Sequence, residues 1–204
     1  MFVFSVECQD NDSYAFRECP VLTEYQQIHQ EIIPDMSGAT RAGVRRCEAC
    51  GELTAKWEES LEGLVLENKK YDISCTYDGI DVVSEKFKDF YDANRLTGLK
   101  FRRLPDEPSF YDIQATRIVE FDAVKRGTRY ENQCPVCKRY EAVAGAYPVY
   151  LKKNANIGIN EFVRTDLEFG GNDEMSPLLL CGEEAGRLLS QATLKGLDLL
   201  EYDT

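Results

Sequence analysis

A single histidine, His29, is all the imidazole this 204-residue chain contains. A Ser-His or Cys-His catalytic pair would have to be built on that one residue, and no nucleophile motif accompanies it. An apolar run long enough to cross a bilayer is also missing. The opening residues, Met1 to Cys8, have no positively charged region and turn acidic at Glu7. They do not read as a secretory signal, so the expectation is a cytoplasmic protein with no membrane partner. Positive charge is scarce: 24 Lys and Arg stand against 36 Asp and Glu, a formal net charge of −12. Phosphate backbones are held through Lys and Arg, so this balance speaks against nucleic acid and for a basic partner, although acidity also serves solubility alone.

Hydrophobic residues make up 43% of the chain and charged residues 29%, the balance of a globular protein. The length supports a real core, as one large or two small domains. The most informative feature is a pair of Cys-x-x-Cys steps, Cys47-Glu48-Ala49-Cys50 and Cys134-Pro135-Val136-Cys137. Two residues between cysteines let both sulfurs of a tight turn aim at one centre. Two such turns supply the four thiolates of a closed, tetrahedral structural zinc site. Two unrelated thiol pairs or disulfides are the alternatives, and a redox step would be expected beside a βαβ pattern, which neither pair shows. A reducing compartment favours metal over disulfides. Cys47, Cys50, Cys134 and Cys137 are therefore the candidate metal ligands, with zinc as a structural cofactor. Four thiolates leave no coordination position for water or substrate, so the site argues for a scaffold and against catalysis. Cys8, Cys19, Cys75 and Cys181 are scattered and read as buried free thiols.

Along the chain, Phe2 to Cys8 alternates like a strand. Thr23 to Ile33, which includes His29, reads as a short helix stopped by Pro34. Strands are expected at Glu52–Trp57, Leu64–Leu66, Tyr71–Thr76 and Leu99–Leu104. Ser84 is a good N-cap with Glu85 in the first turn, and Phe87, Phe90, Tyr91 and Asn94 fall at i, i+3, i+4 and i+7, which predicts a helix over Ser84–Asn94. Phe110 to Asp122 reads as one long strand or two. Thr165 to Pro177 reads as a glycine-rich loop. Ala185, Leu188, Leu189 and Ala192 repeat the helical face over Gly182–Thr193, and Leu197–Tyr202 is the last strand.

The two helical stretches align without a gap. Ser84-Glu85 falls on Gly182-Glu183, Phe87 and Tyr91 on Ala185 and Leu189, Gly98 on Gly196, and Phe101 on Leu199. The expected fold is α+β, built of two tandem β-rich repeats over residues 1–104 and 105–204. Each repeat carries one Cys-x-x-Cys knuckle and one helix. Each donates half of a shared four-cysteine zinc site across a pseudo-twofold interface, in one compact unit.

With its two knuckles the chain from Cys47 onward resembles the double-CxxCG motif family of bacterial immunity proteins, and the run Val82-Val-Ser-Glu-Lys-Phe to Thr97-Gly-Leu-Lys-Phe101 resembles the tail of a related immunity family. The first knuckle keeps the glycine, Gly51; the second has Lys138 in its place. The resemblance implies a protein that binds and neutralises one cognate toxin, without chemistry of its own. It does not identify the toxin. Acidic runs at Glu58, Glu59 and Glu62, and at Asp166, Glu168, Asp173 and Glu174, are candidate binding faces. Two other readings stay open: a zinc-ribbon nucleic-acid or transcription accessory, and an enzyme whose pocket would draw on Asp72, Asp78 and Asp81.

Overall fold

The structure, a computed structural model, describes residues 2–11 and 44–203. The expected helix at Thr23–Ile33, His29 and Cys19 lie outside the described residues. The described chain is a mixed, sheet-dominated α+β fold. Its strands are β1 (Phe2–Asp10), β2 (Ile73–Cys75), β3 (Asp81–Ser84), β4 (Leu99–Arg103), β5 (Phe110–Ala115), β6 (Ile118–Val119), β7 (Arg129–Gln133), β8 (Tyr140–Ala144), β9 (Phe162–Gly171), β10 (Ser176–Gly182) and β11 (Leu197–Asp203). The helices are α1 (Glu85–Ala93), α2 (Ala123–Arg126) and α3 (Glu183–Gln191). The sheet order is β4-β5-β3-β2-β1-β10-β9-β8-β7, with β11 on β1 and β6 on β9.

Helix α1 forms where the pattern places it. The Ser84 hydroxyl accepts from the Phe87 N–H at 3.3 Å, Glu85 sits in the first turn, and Phe87 and Tyr91 are buried one turn apart. Burying a side chain such as Phe87 contributes roughly 1.5–3 kcal/mol. Helix α3 lies on the sheet through Ala185 and Leu189. Leu64 and Leu66 are buried but form no strand, and the stretch expected as a strand at Glu52–Trp57 gives a bridge from Arg46 to Leu53 and a 3-10 turn at Lys56–Glu58. The expected loop over Thr165–Pro177 is instead most of the β9–β10 hairpin, closed by a 3-10 turn at Asn172–Glu174.

The two β-α-β units, β3-α1-β4 and β10-α3-β11, are built alike. Strand β5 lies between β3 and β4, antiparallel to both, with Ser84 opposite Phe110 and Leu99 opposite Ala115. Strand β1 lies between β10 and β11 in the same way, with Gly182 opposite Val3 and Leu197 opposite Cys8. The interval from Ser84 to Leu99 equals that from Gly182 to Leu197, and Phe110 to Ala115 equals Val3 to Cys8. The added strand reaches the first unit locally, since β5 follows β4 along the chain, but reaches the second from far away: β1 is N-terminal yet completes the C-terminal unit. The loops before β4 and β11 also cross over. Thr97 accepts from Phe162 N–H of β9 at 2.8 Å, and Lys195 accepts from Ile73 N–H of β2 at 3.2 Å. Gly98 and Gly196 allow this, since a Cβ would stand 2.1 Å from the Phe162 carbonyl oxygen in one and 2.3 Å from that of Ile73 in the other.

Candidate metal centre

Each Cys-x-x-Cys step is the tip of a tight hairpin. In the first, Gly51 N–H donates to the Cys47 carbonyl at 2.8 Å and Cys47 N–H to that of Glu52 at 2.9 Å. In the second, Lys138 N–H donates to the Cys134 carbonyl at 3.1 Å and Cys134 N–H to that of Arg139 at 2.8 Å. The turn needs a left-handed residue after the second cysteine, and Gly51 (φ 79°) and Lys138 (φ 65°) supply it. The flanking register is also shared: Arg46 bridges Leu53, and Gln133 pairs with Tyr140.

The turns meet tip to tip. The sulfurs of Cys47, Cys50, Cys134 and Cys137 all lie within 4.8 Å of one another, the one such cluster among the described residues. Cys47 Sγ is 3.8 Å from Cys134 Sγ, and Cys50 Sγ is 3.6 Å from Cys137 Sγ. Thiolates about 2.3 Å from a tetrahedral centre lie about 3.8 Å apart, so the cluster fits a metal ion with little movement. The same distances are far too long for disulfides, and the four thiols are free. The backbone already favours thiolate at the first cysteine of each turn. The N–H groups of Cys137 and Val136 draw the Cys134 thiol down to about 6, and those of Ala49 and Cys50 lower Cys47.

A clamp not visible in the sequence holds the first turn to the β9–β10 hairpin. Arg46 grips Asp173 with two bonds, 3.0 and 2.8 Å, and donates to the Gly51 carbonyl at 2.7 Å. Lys56 is buried, and its ammonium donates to the carbonyls of Asp173 (2.8 Å) and Met175 (2.6 Å). The second turn is tied to the same hairpin by Arg139 and Glu168 at 2.7 Å.

The expected acidic faces are largely consumed by such contacts. Asp173 and Glu168 sit in the clamp, Asp166 accepts from Phe121 N–H at 2.8 Å, and Glu58 and Glu59 pair with Arg45 at 3.0 and 2.9 Å. The three aspartates of the enzyme reading do not converge either. Asp72 accepts from Ser84 Oγ at 2.8 Å and Lys195 N–H at 2.9 Å, and Asp78 accepts from Thr76 Oγ1 at 2.7 Å. Asp81 lines a group of cavities near the centre of the sheet.

Among the described residues no helix is long and apolar enough to cross a membrane. No family model matches the chain, and a search of the curated proteins finds no match.

Proposed function

We propose that the chain is a zinc-stapled binding protein of the immunity type, which neutralises a cognate toxin by occupying a basic surface on it. The observation that carries this reading is the four-sulfur cluster. Its edges suit zinc, and a zinc site of four thiolates is coordinatively closed, so the metal would stabilise a scaffold and polarise no substrate. The net charge of −12 would speed encounter with a cationic partner. The motif resemblance turns that partner into a toxin. Under the same reading the fold is a duplication with exchanged strands, supported by the shared registers of the two β-α-β units and of the two knuckles. Each half would then donate one knuckle to the single metal.

Co-expression with the toxin domain tests this. Cells should survive, the two proteins should co-purify, and raising salt should slow association more than it speeds release. Protection without a complex rules the binding reading out. Cys47→Ser or Cys134→Ser should lose protection by misfolding, since structural zinc contributes directly to folding. A second reading has one observation in its favour. Between residues 123 and 139 the chain carries Lys125, Arg126, Arg129, Lys138 and Arg139 against the single acid Glu131, and of these Arg139 is paired with Glu168. Binding to single- or double-stranded nucleic acid that weakens steeply with salt would favour it.

A further inference from the structure

The sheet splits at its centre. Strands β1 and β10 are paired from Val3–Gly182 to Val6–Leu179 and then separate, because β1 continues alongside β2 at Gln9 and Asp10 while β10 bulges at Pro177. The gap opens into three cavities of about 90, 300 and 400 Å³, all lined by Asp81 of β3. Arg164 of β9 lines the smallest, beside the apolar walls of Trp57, Ile113 and Leu179. That arm alone has room for several water molecules.

Asp81 and Arg164 are both short of partners. The Asp81 carboxylate has one hydrogen-bond partner among the described residues, the Cys8 thiol at 3.7 Å, a weak donor. Arg164 has no side-chain hydrogen bond or ion pair there, and none joins it to Asp81. Burial raises the Asp81 carboxyl to about 6, because the Cys8 thiol and the charge of the buried Lys56 ammonium offset it only in part. Most other acids and arginines around the sheet centre are engaged, such as Asp112 with Arg102 and Glu161 with Arg117.

The framework does not require these charges. By register, Asp81 occupies in the first β-α-β unit the position that Leu179 occupies in the second. Cys8, opposite Leu197, corresponds to Ala115, opposite Leu99. Cys75, opposite Asp81, corresponds to Arg164, opposite Leu179. At equivalent points of two like units, an apolar residue serves in one and a charge stands in the other. Asp81 and Arg164 are half-buried, and a charge partly withdrawn from water that packing does not need carries a cost unless something completes it; functional sites are where such costs are retained.

We propose that this cleft binds a small zwitterion of the α-amino-acid type, its ammonium on Asp81 and its carboxylate on Arg164. One ligand then satisfies both lone charges, and its side chain lies against Trp57, Ile113 and Leu179. Arg164 suits the carboxylate because a guanidinium presents a planar fork that matches it. The inference is independent of the toxin reading and survives its failure.

The test uses the full, zinc-loaded chain and a panel of the common L-amino acids at millimolar concentration. Thermal shift identifies binders and calorimetry measures them. At least one should bind, and its N-acetyl and its amide derivatives, each lacking one charge, should bind at least ~10-fold more weakly. Asp81→Asn and Arg164→Gln should show the same losses while keeping one zinc per chain and an unchanged circular dichroism spectrum. Asp81→Asn should fold readily, since it removes a carboxylate that burial already disfavours. No shift with any amino acid overturns the proposal. So does binding that survives loss of either charge on the ligand or of either residue on the protein.

Discussion

The two cysteine turns have the same backbone and opposite means of support. The second is the end of a continuous hairpin: β7 and β8 pair from Arg129–Ala144 to Gln133–Tyr140, and Tyr130 packs on Tyr140 with ring centroids 4.7 Å apart. The first has a single bridge, Arg46 to Leu53, and little regular structure on either side. What it lacks in strand pairing it receives from charge, through Arg46 on Asp173 and Lys56 on two buried carbonyls. A turn of given geometry can thus be held by local hydrogen-bond ladders or by long-range ionic contacts. The second route ties it to residues more than a hundred positions away and makes it depend on the rest of the fold.

Metal removal should separate the two most. With a strong chelator present, the amides of Cys47 and Gly51 should lose protection from hydrogen exchange by on the order of 100-fold or more, because no strand ladder backs that turn and its ionic anchors lie on a distant hairpin. The β7–β8 amides should lose about tenfold, since their ladder persists. Equal losses in both turns mean that the hairpin gives the second no independent stability.

The ionic anchors come next. Asp173 is nearly inaccessible, with its side chain 4% exposed, whereas Glu168 is 19% exposed. Arg46→Ala leaves a buried carboxylate without its main counter-charge and should cost about 2–3 kcal/mol in denaturant titrations of the metal-loaded protein. Arg139→Ala breaks a better solvated pair and should cost about 1 kcal/mol. If Arg139→Ala costs more, the second turn relies on its ion pair after all.

Local chemistry was readable from the sequence, and long-range pairing was not. The spacing of Cys47, Cys50, Cys134 and Cys137 points to one cluster because two Cys-x-x-Cys turns together supply the four thiolates of a tetrahedral site. The caps and apolar faces at Ser84 and Gly182 located α1 and α3 to within about two residues. That β1 completes the C-terminal unit was hidden, since a strand's alternation says which face is buried and not which neighbour it joins. Arg46 and Asp173 meet only through that arrangement, and Lys56 looks like any surface lysine. Thr165 to Pro177 was misread because its glycines suggest a loop, whereas Gly170 (φ 115°) and Gly171 end a strand. Asp81 could be singled out only by register, against Leu179.

The smallest expected difference lies in the left-handed residue of each turn. Gly51 has φ 79° and nothing within 4 Å of where a Cβ would stand, so Gly51→Ala meets only backbone strain. It should lose about 1 kcal/mol, the usual cost of placing a β-carbon in that region. Lys138 already bears that strain at φ 65°, and Lys138→Gly relieves it. The gain should be smaller than the loss at Gly51, about 0.5 kcal/mol, for two reasons. Glycine also frees the unfolded chain, and Lys138 Nζ donates to the Pro135 carbonyl at 2.7 Å, a contact the variant lacks. Both changes leave the four sulfurs in place, so metal binding should be unchanged while the denaturation midpoints move in opposite directions. A loss of stability in Lys138→Gly would mean that the Lys138–Pro135 contact outweighs the strain. The two turns would then differ at their tips as well as in their anchors.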